Sequence, residues 1–116
     1  MTTIEAPFSI SERPTEAEVL GKYFKVLADP TRLRILQVLE AKGELSVGEL
    51  AARLALPQPS VSNHLACLRW CGFVATRREH RTVYNRIADS RVSEVMAIAR
   101  SLLEENAEHV AACRRA

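Results

Sequence analysis

The side chains best suited to chemistry in this sequence are two cysteines, Cys67 and Cys71, which lie four positions apart around Trp70 in a helical stretch. On a helix, residues at this spacing share a face, with Cβ atoms about 5–6 Å apart. A disulfide needs Cβ atoms about 3.5–4.5 Å apart and would distort the helix. A metal ion with bonds of about 2.3 Å to each sulfur spans the gap. The spacing therefore favours an ion held by thiolates over an intrahelical disulfide.

Several residues elsewhere in the chain bear on this pair. Cys113 is the third cysteine, and His109 precedes it by four positions. His109 could add a nitrogen ligand if the last helix extends that far, or it could be an ordinary surface residue. Arg69, together with Arg114 and Arg115, is expected to ease deprotonation of the thiols. The candidate ligands are soft sulfur donors and no hard oxygen ligand is obvious near them, so thiophilic ions are favoured over magnesium or calcium.

Two other roles for the thiols have to be weighed. Free cysteines often act as small buried hydrophobic residues, and this role suits Cys71, which precedes Gly72 at the expected end of a helix. Cysteine–histidine catalysis is disfavoured, because His64 and Cys67 project from one helix and no oxyanion stabiliser or substrate pocket is evident. The sequence therefore does not predict an enzyme.

The composition is that of one small globular domain. The 116 residues are 47% hydrophobic and 26% charged with a formal net charge of +2, so any DNA affinity depends on where the basic residues lie. No apolar run reaches the roughly 18 residues of a membrane helix, and the N-terminus lacks the features of a signal peptide. Three cysteines do not suit a secreted disulfide framework. We therefore expect a reduced, cytoplasmic protein without membrane contact.

Helix starts and stops are marked clearly along the chain. Apolar residues at helical spacing predict a first helix, and Asp29 and Pro30 predict the N-cap and first residue of a second, which Gly43 ends. Ser46 and Glu49 have the spacing of a capping box at the start of a short third helix. A fourth helix follows, and the two together have the pattern of a helix-turn-helix.

The rest of the chain supplies a wing and a long last helix. Two β-leaning runs, 73–78 and 82–87, flank a charged tip and predict a hairpin. An apolar stripe predicts a last helix from about Ser90. The order α1-α2-α3-α4-β-β-α5 predicts a mainly α fold with a β-hairpin wing, an α+β winged helix-turn-helix.

Three segments resemble the ArsR/SmtB family of metal-responsive repressors, in the order in which that family carries them: residues 27–36, 49–51 and 60–65. The resemblance implies a homodimer joined through the first and last helices. It also implies that the inducer-free protein binds double-stranded operator DNA and releases it when an ion binds. On this view residues 1–14 are a flexible tail, 15–106 the DNA-binding and dimerisation domain, and 107–116 an extension that carries Cys113.

Two inducer sites known in this family lack their ligands here. Ser46 and Gly48 occupy the third-helix positions where cysteines would bind. On the last helix Asp89 is present, but Arg91 replaces a histidine, and a guanidinium cannot be a metal ligand. Neither site is expected to function.

The remaining cysteines are similar to those of the cadmium- and lead-sensing CmtR-type branch of the family. The resemblance implies a three-thiolate site of Cys67, Cys71 and Cys113, with Cd(II) or Pb(II) first among the inducers and As(III) next. Mercury is possible, and zinc is less expected because no fourth protein ligand is evident. Cys113 could come from the same chain or from the partner, with some preference for the partner.

The fourth helix is expected to enter the major groove with its N-terminal half. Its polar side chains there are Gln58, Ser60, Ser62, Asn63 and His64. Glutamine and asparagine can pair with adenine, whereas serine contacts are less selective. The alternatives are helix capping for Ser60, simple solvation for Ser62 and local hydrogen bonding for His64.

The wing adds Arg77, Arg78 and Arg81, which are expected to bind phosphates or the minor groove. The alternative is a solvated charged hairpin. Wings in the family usually turn through a glycine, and this chain has His80 at the tip. Histidine tolerates a positive φ better than most residues.

Two rival functions remain at the level of the sequence. The first is a winged-helix repressor that responds to thiol oxidation instead of an ion. The second is a metal-buffering protein that does not bind DNA, which leaves the polar fourth helix and the arginine wing without a purpose.

Overall fold

The computed structural model describes residues 13–113, which form five helices and a three-stranded sheet. The elements are α1 (Glu16–Leu27), α2 (Pro30–Lys42), β1 (Leu45–Ser46), α3 (Val47–Leu54), α4 (Gln58–Trp70), β2 (Val74–Glu79), β3 (Thr82–Ile87) and α5 (Ser90–Ala112). This order confirms the winged helix-turn-helix and adds β1 to it. Most of the tail expected over residues 1–14 lies outside the described residues, as do Arg114 and Arg115.

Side-chain caps fix where the first helices of the DNA-binding unit begin. The Asp29 carboxylate accepts hydrogen bonds from the backbone N–H groups of Thr31 and Arg32, at 2.8 and 3.1 Å. At α3, Ser46 and Glu49 form the predicted capping box. By contrast, α4 begins after Pro57 without a side-chain cap. The capping alternative for Ser60 is therefore wrong.

The sheet is antiparallel in the order β1-β3-β2. Its first strand pairs Leu45 with Asn85, and the buried Asn85 amide donates to the Leu45 carbonyl at 3.1 Å. A strand of two residues has no alternation of polar and apolar side chains, so the sequence did not predict it. Between β2 and β3 the turn contains His80 with φ +57°, a conformation that favours glycine and that histidine tolerates better than most residues.

The core lies among α2, α3 and α4. Its largest fully buried side chains are Ile35, Leu36, Leu39, Leu50, Val61 and Leu68. The outer helices contribute less, with Val26 and Leu27 from α1 and Val92 and Met96 from α5. Among residues 13–113, no helix is long and apolar enough to cross a membrane. The three central helices thus form a packed core that positions the surface of α4.

Candidate ion and nucleic-acid sites

The two helix cysteines lie on one flank of α4. Cys67 and Cys71 are both half-buried against the hydrophobic core, and both are free thiols. Ser60 and His64, at helical spacing from them, are half-buried on the same flank. The predicted shared face is therefore present.

The electrostatic surroundings of the pair differ from those expected. Burial raises the pKa of the Cys71 thiol, the neighbouring Cys67 raises it further, and the guanidinium of Arg32 opposes both effects. Arg69 was expected to ease deprotonation, but the cation that acts on Cys71 is Arg32 of α2. Burial and the second thiol outweigh it, so the expected ease of deprotonation at Cys71 is wrong for the ion-free chain.

Cys113 stands apart from this pair in a single chain. Helix α5 continues without a break to Ala112, so Cys113 is its exposed C-cap and His109 lies on its last turn. Side chains from residue 97 to 113 are all exposed. Within residues 13–113 of one chain, no three histidine, cysteine or acidic side chains are grouped so that they could hold a metal ion. Among its described residues, one chain therefore brings two thiols close together and leaves Cys113 apart from them.

Asp89 is committed to a structural role at the start of α5. Its carboxylate accepts from the Arg91 backbone N–H at 2.8 Å and pairs with the Arg91 guanidinium at 2.7 Å. The hydrogen bonds from Arg91 lower the pKa of Asp89 to about 2. A carboxylate held in this way caps the helix.

Helix α4 presents its polar side chains in two groups. Gln58, Ser62 and Asn63 are exposed, whereas Ser60 and His64 are half-buried on the cysteine flank. The His64 Nδ1 accepts a hydrogen bond from the Nε of Arg32 at 3.1 Å. Arg32 and His64 are separated by 32 positions, so no local sequence pattern predicts this contact.

The three wing arginines are not equivalent. The Nε of Arg77 donates to both carboxylate oxygens of Glu44, at 2.9 and 2.8 Å, and a third bond joins Arg77 to Glu79. The same guanidinium lies over the ring of Tyr84, 4.9 Å from its centroid. Arg78 and Arg81 are exposed and form no salt bridge within residues 13–113. The predicted wing cations are present, but one of them is already paired.

Two helices leave an apolar surface uncovered, here called the α1–α5 face. Its side chains, all exposed in the single chain, are Val19, Leu20, Tyr23, Phe24, Val95, Ile98, Leu102, Leu103 and Val110. The helices α1 and α5 that the apolar spacing predicted are present, but most of these apolar residues do not reach the chain's own core. An exposed apolar surface of this kind marks an interaction site.

The sequence is similar to those of known bacterial transcriptional regulators. Residues 29–76 match the sequence profile described as "Bacterial regulatory protein, arsR family". The chain is 37% identical over 101 residues to a "Probable mercury resistance operon repressor" from Streptomyces lividans, covering 87% of this chain and 80% of that protein. It is 46% identical over 77 residues to the "HTH-type transcriptional regulator CmtR" of Mycobacterium tuberculosis, covering 66% of this chain and 64% of that protein.

Solved structures show the same architecture. A homodimeric winged helix-turn-helix DNA-binding domain from Mycobacterium bovis, described as a possible ArsR-family transcriptional regulator, superposes with a TM-score of 0.72 at 32% identity. The match covers 88% of this chain and 94% of that one. The chain therefore shares its fold and much of its sequence with DNA-binding regulators and not with enzymes.

Proposed function

Because this chain belongs to the ArsR family of bacterial regulatory proteins, we propose that it is an ion-responsive repressor. The inducer-free homodimer binds operator DNA and dissociates when a thiophilic ion binds Cys67, Cys71 and Cys113. The observation that carries this proposal is the position of two free thiols on the flank of α4, the helix that faces DNA in a winged helix-turn-helix. An ion bound there acts directly on the DNA-binding element.

The DNA-binding surface consists of α4 and the wing. In this proposal Gln58, Ser62 and Asn63, which are exposed, contact base edges in the major groove. Ser60 and His64 belong to the same surface on its half-buried flank. Arg78 and Arg81 bind backbone phosphates, and the paired Arg77 contributes less.

The homodimer forms through the α1–α5 face. Burying this surface against a second copy removes its apolar side chains from water, which is the main driving force of most protein association. The homodimeric state of the Mycobacterium bovis relative supports the assignment. Two copies of α4 then meet successive turns of the DNA major groove, about 34–36 Å apart.

The ion site is completed across the dimer. One chain brings together only two of the three thiols among its described residues, and the exposed second half of α5 ends at Cys113. When α5 packs against a partner, its C-terminus leaves its own domain and can reach the partner's α4. Cys113 is therefore the ligand supplied by the other subunit.

Binding an ion at this place couples to DNA affinity. A tie between α4 and the partner's α5 restrains the recognition helices relative to each other. Couplings of about 1–3 kcal/mol change affinity about 5- to 150-fold, enough to clear an operator. Cd(II) or Pb(II) is the first choice of inducer and As(III) the second, since the donors are thiolates. Hg(II) also suits thiolates, and the mercury-operon relative supports testing it. Function in the reducing cytoplasm would keep the thiols available.

A cadmium titration of reduced, ion-free protein tests the site. We expect thiolate-to-metal charge-transfer absorption and a change in Trp70 fluorescence, saturating near one ion per chain with an intensity that fits three sulfurs. The variants Cys67→Ser, Cys71→Ser and Cys113→Ser should each lose operator release on adding the ion. Normal release by all three would contradict the proposal.

Mixed dimers separate a shared site from one within a single chain. One subunit carries Cys113→Ser, and the other carries both Cys67→Ser and Cys71→Ser. If Cys113 acts across the dimer, the mixed dimer regains one ion site although neither parent has any. If the site lies within one chain, the mixed dimer binds no ion at the three-thiolate site.

Thiol oxidation is the second candidate function. The exposed Cys113 is free to react, whereas the helix pair is unsuited to an internal disulfide. Operator release by peroxide in metal-free buffer, with a Cys113 disulfide seen by mass spectrometry, would favour it. The absence of a charge-transfer band with cadmium would point the same way.

A further inference from the structure

The side chain of Arg32 links its own helix α2 to both α1 and α4. Its Nε donates to His64 Nδ1 on α4 at 3.1 Å, and its Nη1 donates to the Val26 carbonyl on α1 at 3.2 Å. Its own backbone N–H is held by the Asp29 cap at 3.1 Å. The guanidinium is therefore fixed at both ends, and the His64 ring is oriented by residues outside its own helix.

This bond decides which nitrogen of His64 carries the proton. A guanidinium only donates, so Nδ1 must be an acceptor, and a neutral imidazole then carries its proton on Nε2. Within residues 13–113, Nε2 has no protein partner. No buried side-chain nitrogen or oxygen in that range lacks a partner. The Nε2–H group therefore reaches the surface of α4 as a free donor.

The position of His64 indicates what this donor meets. Ser62 and Asn63 are exposed on the outward side of α4, and His64 is half-buried on the flank toward α2. When a helix enters the major groove, its outward side chains reach base edges and its flanks face the sugar-phosphate walls. A donor on the flank is placed for a phosphate oxygen.

From these contacts we propose that Arg32 is a positioning residue that holds His64 as an Nε2–H donor to one backbone phosphate of the operator. This inference rests on the proposed binding of α4 to DNA. It assigns His64 to the DNA backbone instead of to a base edge. It also gives a role in DNA binding to Arg32, which itself touches no DNA.

Binding of a duplex selected from a random-sequence pool tests the pair. Arg32→Met and His64→Ala should each weaken binding about 3- to 10-fold, the range for one lost hydrogen bond. Combined, they should cost little more than either alone. Arg34→Met is the matched control, because Arg34 lies on the same helix but donates to the Leu54 carbonyl at 3.3 Å. His64→Gln should retain part of the affinity, because the glutamine amide has both an oxygen that can accept from Arg32 and an N–H group that can donate to DNA.

Nitrogen NMR of the His64 ring gives a readout that a merely structural role would not move. The wild type should show the Nε2-protonated tautomer, and Arg32→Met should show a mixture. A proton on Nδ1 in the wild type would overturn the proposal. Wild-type affinity of Arg32→Met and His64→Ala, with thermal unfolding confirming that both are folded, would overturn it as well.

A methylphosphonate scan identifies the acceptor. Replacing the contacted phosphate should weaken the wild type and leave His64→Ala unaffected at that position. Equal losses for both proteins at every phosphate, or a loss that follows a base analogue instead, would contradict the phosphate assignment. If the wild type binds no duplex at all, the proposed function fails, and the NMR experiment still tests whether Arg32 orients His64.

Discussion

Each thiol on α4 has to lose a proton before it can bind an ion, and the surroundings of Cys71 oppose that loss. Its pKa is raised by burial and by Cys67, while Arg32 acts in the other direction. The free protein thus keeps Cys71 mainly as a neutral thiol, which suits a core-facing residue. In the proposed function, an incoming cation supplies the charge that makes the thiolate favourable.

Alkylation should reveal this difference among the three cysteines. In ion-free protein, Cys71 should react with iodoacetamide more slowly than the exposed Cys113, because only the thiolate is nucleophilic and Cys71 is both half-buried and raised in pKa. Its rate should still be rising with pH where that of an ordinary thiol has levelled. Mass spectrometry of peptides gives each rate. Saturating cadmium should protect Cys67 and Cys71, and faster reaction of Cys71 than Cys113 would contradict the assignment.

Asp89 should leave a signature in acid unfolding. Arg91 lowers the pKa of Asp89 to about 2 in the folded chain, whereas the ordinary value for the unfolded chain is 3.8. The carboxylate therefore stabilises the fold at pH values above 3.8. That contribution should be lost as the pH falls from 3.8 towards 2. Asp89→Asn keeps a capping side chain but cannot titrate, so its stability should fall less over this range. Identical acid dependence of the two proteins, measured by circular dichroism, would show that the pKa is not lowered.

At the scale of single residues, local sequence patterns predict some features of the structure and not others. The cysteine spacing and the Asp29 and Ser46 caps follow from local patterns. The bond from Arg32 to His64 and that from Arg77 to Glu44 join residues more than 30 positions apart. Hydrogen bonds between such distant residues depend on how helices and strands pack, so no local sequence pattern predicts them.

Among the elements, the wing combines a structural arginine with free ones. Arg77 ties β2 to Glu44, just before β1, and stacks on Tyr84 of β3. Arg78 and Arg81 point into solvent without a salt bridge in the described chain. Fixing one cation within the sheet holds the hairpin in place while its neighbours remain available to DNA.

This difference predicts unequal effects of substitution in the wing. Arg81→Ala should weaken binding to all duplexes about equally and reduce the slope of affinity against salt concentration by about one, as expected for a lost phosphate contact. Arg77→Ala should change the slope less, because two carboxylates already neutralise its charge. Titrations at several salt concentrations measure both. A larger change of slope for Arg77→Ala than for Arg81→Ala would reverse the assignment.

Apolar spacing predicted the helices but did not reveal what covers them. In α2, α3 and α4 the apolar residues fill the chain's own core. In α1 and α5 the same kind of spacing produces a face that stays in water. Periodicity reports that one side of a helix is apolar, and it cannot distinguish an internal neighbour from a second molecule. β1 was missed for a different reason, because its two residues are defined only by their partners in β3.

For the molecule as a whole, the α1–α5 face is the dominant exposed feature. In the single chain the side chains of Ile98 and Phe24 are 61% and 54% exposed. The face extends along α5 towards Cys113, so the same surface that would join two subunits also carries the third thiol. In the proposed function, dimerisation and ion binding are thereby linked in one helix.

Charge on this face should separate the subunits. Phe24→Asp and Ile98→Asp should give the mass of one chain in sedimentation experiments, because a buried unpaired carboxylate is costly in a dimer interface and harmless on an exposed monomer surface. Val83→Asp is the control, since Val83 is also an exposed apolar residue, at 38%, but lies on the wing. A dimeric Ile98→Asp protein together with a dimeric Phe24→Asp protein would refute this interface. Monomeric variants should also lose tight operator binding.

The exposed face has a further consequence for the fate of the protein in a cell. A newly made subunit that has not met a partner shows a long apolar surface to chaperones and proteases, which bind such surfaces, and it should be short-lived. A copy damaged only in α4 keeps α1 and α5 intact, escapes removal by pairing with a sound copy, and disables it. Defects in the DNA-binding helix should therefore behave as dominant mutations, and defects in the α1–α5 face as recessive ones.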